Sequence, residues 1–167
     1  LQWLAEENVS FPRYFGNQLQ TNNGLYTTLT GHYPNFLGVA SPWDTLTAEA
    51  SAAKTSLPNL LSARGYTTSF LQSADLSFMN KAMHLSQIGF DEVRGRESWT
   101  SFYSGNGWGV DDLSLFEGSL NYIDSIQGDT PWLVSLLTSG THSPYNVPAD
   151  FLPGAPDRVR AIKYADY

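Results

Sequence analysis

The chain has no cysteine. This excludes disulfides, zinc–thiolate centres and cysteine nucleophiles, and leaves the compartment open. It also lacks any apolar run near the roughly 18 residues that cross a bilayer, and any signal-peptide pattern. A segment for export or anchoring, if the protein uses one, lies outside this stretch. Charge is sparse, with charged residues at 15%, so many positions are expected to face other protein. Basic residues are scarcer still: Lys plus Arg number 9 against 16 Asp plus Glu, a net charge of −7. That balance argues against nucleic acid as a partner and against electrostatic adhesion to anionic lipid. It does not exclude an anionic substrate, because one divalent cation reverses a local field. There is no Gly-Lys-Ser/Thr phosphate loop, no dinucleotide glycine fingerprint, no Gly-x-Ser-x-Gly elbow and no paired-His zinc motif.

What is present is apolar and aromatic: 41% hydrophobic and 14% aromatic residues over 167 positions. This is the composition of an ordered domain, or part of one, able to bury about 70% of its unfolded surface. Both ends read as cut inside helices, Leu1, Leu4 and Ala5 at one end and Asp157 to Tyr167 at the other. Between them the pattern alternates. Val9, Phe11 and Phe15 suggest a short strand, with Pro12 favouring an edge or bulge. Asn22 to Thr30 reads as a helix with Thr21 as its cap, and Gly31 to Lys54 as a loop. Thr55 or Ser56 caps a helix with Pro58 in its first turn, a Leu57, Leu60, Leu61 stripe and a stop at Gly65. Tyr66 to Leu71 reads as a strand. A helix begins at Ser77, with Phe78, Ala82 and Leu85 on one face, and ends at Gly89. Arg94 to Gly109 reads as a loop. Asp111 or Asp112 opens a helix with Leu113, Phe116, Leu120 and Ile123 as its stripe. Trp132 to Leu137 reads as a strand buried on both faces. The expected class is α/β, with a largely parallel sheet flanked by helices.

Ligands of open α/β sheets bind beyond the carboxyl ends of the strands, which directs attention to the segments around Thr21 and His142. A hydroxyl at a helix start receives help from the amides and positive dipole end, and suits a phosphoryl or sulfuryl group. Thr21 is therefore either a nucleophile, activated by a base or metal, or only an N-cap. Gly24 would allow a close approach of ligand or backbone. His142 either contacts a phosphate oxygen or exchanges a proton with a leaving alcohol, or else only bonds its own loop. Asn80 and Lys81 open the helix that begins at Ser77. Lys81 is either a point charge for a phosphate or a solvated lysine. His32 and His84 read as structural or solvated, and Asp111 and Asp112 as capping acids. Trp99, Phe102, Tyr103 and Trp108 would line a cleft or anchor a loop.

The order of segments carries a resemblance. Thr21 to Pro34 resembles the nucleophile segment of sulfatase-like proteins in the alkaline phosphatase superfamily, and Leu57 to Thr68 looks like the helix and strand that follow it. Ser77 to Lys81, Ile88 to Asp91, Trp108 to Asp112 and Thr141 to Tyr145 come in the order seen in lipoteichoic acid synthases and related phosphoglycerol transferases. Ala161 to Tyr167 is similar to the helix before their last metal-binding segment. The resemblance implies an alkaline phosphatase/sulfatase-like fold, incomplete at both ends, with residues 1–167 forming part of one catalytic domain. It implies Thr21 as nucleophile and ligand of a divalent metal, usually manganese. His142 would contact the substrate phosphate, and Asn80 and Lys81 would hold a phosphoglycerol unit from a lipid or glycan substrate. Met79 and Lys81 stand where those proteins carry Trp and Arg. Lysine lacks the bidentate fork of arginine, so the substrate need not be the synthase's own. The formylglycine signature of sulfatases, Cys or Ser then Pro then Arg, is absent, which counts against sulfate-ester hydrolysis.

The acidic metal ligand expected before Leu1 and the Asp-His pair expected beyond Tyr167 would come from the remainder of the polypeptide. The isolated chain is therefore expected to be inactive and to bind manganese weakly. The intact protein is expected to be extracytoplasmic and attached to the membrane by a segment absent from this chain. The alternative is a non-catalytic glycan- or headgroup-binding module on a degenerate version of the fold.

Overall fold

The computed structural model describes residues 2–16, 18–34, 51–100, 107–145 and 147–166. Among the described residues three strands, β1 (Thr67–Gln72), β2 (Glu92–Arg94) and β3 (Trp132–Leu137), form a parallel sheet in the order β2-β1-β3. Seven α-helices accompany them among the described residues: α1 (Gln2–Glu7), α2 (Thr21–Thr30), α3 (Ser51–Lys54), α4 (Leu57–Ser62), α5 (Lys81–Gln87), α6 (Asp112–Ile126) and α7 (Asp157–Ala165). The expected α/β class holds, with the sheet parallel and flanked by helices.

Central β1 separates two cores, because successive strand side chains point to opposite faces. Phe70 packs with Leu29, Ala52, Ala53, Leu85, Ile88 and Phe90 on one side. Leu71 packs with Val110, Leu115 and Tyr122 on the other. Phe70 and Phe90 meet edge to face at 5.5 Å. The helix ends follow the sequence closely. Ser56 caps α4, accepting from the amide of Asn59. Asp111 caps α6, accepting from the amide of Ser114 at 3.0 Å. A left-handed Gly31 closes α2.

Several expectations fail for a common reason: a hydrophobic pattern does not name its partner. Val9, Phe11 and Phe15 form no strand and are exposed, with no described strand beside them to complete a ladder. The loop expected up to Lys54 contains α3; its residues 35–50 lie outside the described ones. The loop expected from Arg94 likewise lies beside β2, whose Glu92 and Arg94 pair at 2.9 Å and present no run of β-formers. On α6 the stripe of Leu113, Phe116 and Leu120 faces outward, and the helix buries Leu115, Ser119 and Tyr122 instead. Ser119 returns its hydroxyl to the Leu115 carbonyl, and Tyr122 bonds Ser69 of β1, so both polar groups are satisfied on the inner face. The α4 stripe is also half open, with Leu57 and Leu60 exposed. In the segment after Ser77 only Leu85 of the expected face is buried; Lys81 and His84 go in with it. Strand β3 is not covered on both faces, since Trp132 and Leu136 are exposed at the sheet edge.

Candidate active site

The carboxyl ends of β1 and β3 and the start of α2 enclose a cleft of about 780 Å³. It is lined by Thr21, Lys81, His142, Asp75, Trp108 and the two serines Ser73 and Ser139, among others. Thr21, Lys81 and His142, three of the residues singled out in the sequence, thus share one cavity although they come from three separate segments. Asn80 is exposed and does not line it.

Thr21 is not the cap of α2. The capping position is Gln20, which makes no side-chain cap bond, and Thr21 is the first helical residue, exposed toward the cleft. The helix runs ten residues. Its first amides have no carbonyl of their own helix to bond, so positive potential gathers where the Thr21 hydroxyl sits. Gly24 has ordinary room around it, a Cβ there meeting only Gln18 at 4.0 Å, so no close approach requires glycine.

Lys81 reaches the cleft through a sharp turn. Met79 (φ 60°) and Asn80 (φ 52°) both adopt the left-handed conformation within the turn Phe78–Asn80 that leads into α5. The turn swings Lys81 inward, where it is only 7% exposed. Burial pushes its ammonium below the usual lysine range. The Phe78 ring, 5.3 Å from Nζ, supplies partial compensation.

His142 follows β3 in a tight loop. Its Nδ1 lies 2.7 Å from the Ser143 carbonyl oxygen. A carbonyl only accepts, so Nδ1 carries the proton and Nε2 is left as the basic nitrogen. Trp108 donates its indole N–H to the same carbonyl at 3.1 Å and packs against the imidazole with ring centroids 4.4 Å apart. Phe78 meets Trp108 edge-on at 5.7 Å, which completes an aromatic wall. Gly109 makes this wall possible: a Cβ there would lie 2.1 Å from the Ser73 carbonyl oxygen, so only glycine lets the Trp108 loop lie against the end of β1.

Three features were not read from the sequence: the Asp75 carboxylate, the Ser73–Ser139 tie and the Asp112 carboxyl. Asp75 lines the cleft, and the Ser77 amide, at 2.7 Å, holds its carboxyl below the usual carboxylate range. An Asp-x-Ser turn directly after a strand was the available signal. Ser73 donates to Ser139 at 2.8 Å, tying the ends of β1 and β3 together. Asp112 is the third. It is not a cap but a buried carboxyl whose Oδ1 accepts from the amides of Ser139 (3.2 Å) and Gly140 (3.0 Å). Burial pushes its ionisation up, against the pull of those two amides. The remaining candidates lie elsewhere. His32 Nε2 is 3.2 Å from the Thr55 hydroxyl, His84 is buried in α5, and Trp99 anchors its loop by donating to the Gln72 carbonyl at 2.8 Å. Phe102 and Tyr103 lie outside the described residues.

The expected divalent cation does not find a complete set of ligands here. Among the described residues no group of three or more His, Asp or Glu side chains converges to hold a metal.

The fold that positions this cleft is shared with solved structures. The chain superposes on the lipoteichoic acid synthase LtaP from Listeria monocytogenes with a TM-score of 0.73 at 18% identity, over 93% of this chain and 40% of that one. It also superposes on a protein of the alkaline phosphatase superfamily from Vibrio parahaemolyticus, with a TM-score of 0.65 at 26% identity, over 85% of this chain and 35% of that one. The fold is thus that of the alkaline phosphatase superfamily, and the chain spans well under half the length of either neighbour. The family model for sulfatases matches residues 1–166, and the chain belongs to the sulfatase family.

Proposed function

We propose that the intact polypeptide is a transferase or hydrolase of phosphoglycerol-type phosphodiesters, with residues 1–167 forming part of its single catalytic domain. The observation that carries this reading is the meeting of Thr21, Lys81 and His142 in one cleft. Thr21 Oγ attacks the phosphorus and its proton passes to His142 Nε2. The bond from phosphorus to the leaving alkoxide breaks, and that oxygen takes the proton from the imidazole. An acceptor alcohol or water then displaces Thr21 by the reverse sequence, leaving the enzyme unchanged. Lys81 and the α2 amides balance the charge on the equatorial oxygens. Asp75, an ionised acceptor in the cleft, favours a substrate that carries hydroxyls beside its charged ester, and the Phe78–Trp108 wall favours one with an apolar or sugar face. A divalent cation such as manganese would take its further ligands from polypeptide outside this chain. The protein would act outside the cytoplasm on a lipid or glycan substrate, attached to the membrane by another segment.

Thr21→Ala in the full-length protein tests the proposal, with a glycerophosphodiester bearing a chromogenic leaving group as substrate. Turnover is expected to fall by about 10³-fold or more, as when a nucleophile is removed. Retention of most activity overturns it. The wall of Phe78, Trp108 and the His142 imidazole would also suit a second reading, a non-catalytic headgroup- or glycan-binding module. That reading is the one supported if the intact wild type binds glycerol phosphate and turns over no ester.

A further inference from the structure

We propose that Asp112 is a positioning residue for His142, its carboxyl clamping the loop that carries the imidazole. Asp112 is the first residue of α6, and its backbone is fixed by the Asp111 cap just before it. The side chain crosses to the end of β3 and is 1% exposed. A single oxygen, Oδ1, takes both the Ser139 and the Gly140 amides. The turn that follows is closed by the His142 amide donating to the Ser139 carbonyl at 3.0 Å. Ser139 is held again through its hydroxyl by Ser73. The imidazole is thus set by a chain of fixed bonds that starts at the Asp112 carboxyl.

Two details separate a clamp from an incidental contact. A Cβ on Gly140 would lie 2.4 Å from Oδ2, so the loop backbone rests directly on the carboxyl, and an added methyl would force the two apart. Oδ2 itself is buried, and among the described residues it has no hydrogen-bond partner. The hydrogen bonds of the carboxyl among the described residues therefore both go to the loop that carries His142. Asparagine would keep the Oδ1 acceptor and remove the charge.

This inference rests on the functional reading only for its kinetic consequence, and the experiment keeps the two apart. Asp112→Ala, Asp112→Asn and Gly140→Ala are made in the full-length protein. Amide hydrogen exchange over residues 138–145 reports the clamp, and steady-state kinetics on the glycerophosphodiester report catalysis. Asp112→Ala is expected to lose protection in this segment while β1 stays protected. Its kcat should fall by about 10- to 100-fold, the scale of a misplaced catalytic group, with KM little changed. Asp112→Asn should restore both to within about threefold, since the acceptor remains. Gly140→Ala, which leaves the carboxyl in place and pushes the loop away, should reproduce the alanine phenotype even if Asp112→Ala fails to fold. Unchanged protection in Asp112→Ala and Gly140→Ala, or lost protection with unchanged kcat, overturns the proposal. So does an asparagine variant as damaged as the alanine one. If the wild type turns over no ester, the functional reading fails, and the exchange data alone decide whether the clamp exists.

Discussion

At the carboxyl edge of the sheet polar side chains are buried, while along residues 3–19 apolar ones are exposed. Lys81, Ser73, Asp112 and Gln72 lie inside the first region. Val9, Phe11, Tyr14, Phe15 and Leu19 stand outside the second, Val9 at 85% exposure. The difference shows that burial follows the partners available, not side-chain polarity alone. At the sheet edge, Ser73 has Ser139, Asp112 has two amides, and Gln72 donates to the carbonyls of Ala74 and Asp75 at 3.0 Å each. In the N-terminal stretch nothing among the described residues covers the aromatic rings. A polar group with partners tolerates the interior, and an apolar group without neighbours gains nothing from its own character.

The comparison is sharpest where a substitution should matter most. Phe70→Ala, in the core that supports the cleft, removes a 1%-exposed ring and its edge contact with Phe90. It should lower unfolding free energy by about 3–5 kcal/mol, measured by denaturant titration. Lys81→Met should break the cleft's logic in two opposite directions. Turnover of the phosphodiester should fall by about 10- to 100-fold, because a cation aimed at the ester is lost. Stability should rise, because burial depresses the Lys81 ammonium below its unfolded value. A depressed lysine contributes stability above the unfolded range that is lost as pH falls through the folded value, so the lysine costs stability at neutral pH. Melting curves should therefore favour methionine at pH 7, and the gap should close toward strongly alkaline pH. A rise in turnover, or a loss of stability at neutral pH, would contradict the assignment of Lys81 to anion binding. The smallest effect belongs to the other region. Val9→Ser should change the stability of this chain by less than about 0.5 kcal/mol, as at other exposed sites without partners. A larger loss would mean that Val9 is covered in the protein studied.

Much of the frame was legible because local signals are strong where they concern the backbone. Ser56 with Pro58, Asp111 with Ser114, and glycines 31, 65 and 89 each mark a helix end through capping chemistry or a positive φ. The β-branched and aromatic run into Phe70 marked β1 in the same way. The site was legible in part. Thr21, Lys81 and His142 were selected by residue type and by position after an expected strand or at a helix start. Their convergence depends on the parallel sheet bringing distant loops to one edge. Asp112 could not be read, because an acid beside a capping acid looks like a second cap until the Ser139 and Gly140 amides appear opposite it. The α6 stripe misled for a related reason: its 3.6-residue period was correct, but Ser119 and Tyr122 bury a different face through their own hydrogen bonds.

What the sequence determined by itself is therefore local: where helices begin and end, which run becomes the central strand, and which residues stand as candidate hydroxyl, cation and imidazole. Short-range sterics and hydrogen bonding set all of these within a few residues. Only the tertiary structure decided which faces are covered, that Lys81 is buried, and that an aspartate on α6 holds the loop after β3. The clamp and the covered faces depend on partners distant along the chain, as Asp112 on Ser139 and Gly140 or Tyr122 on Ser69, and no local pattern encodes where such a partner will lie.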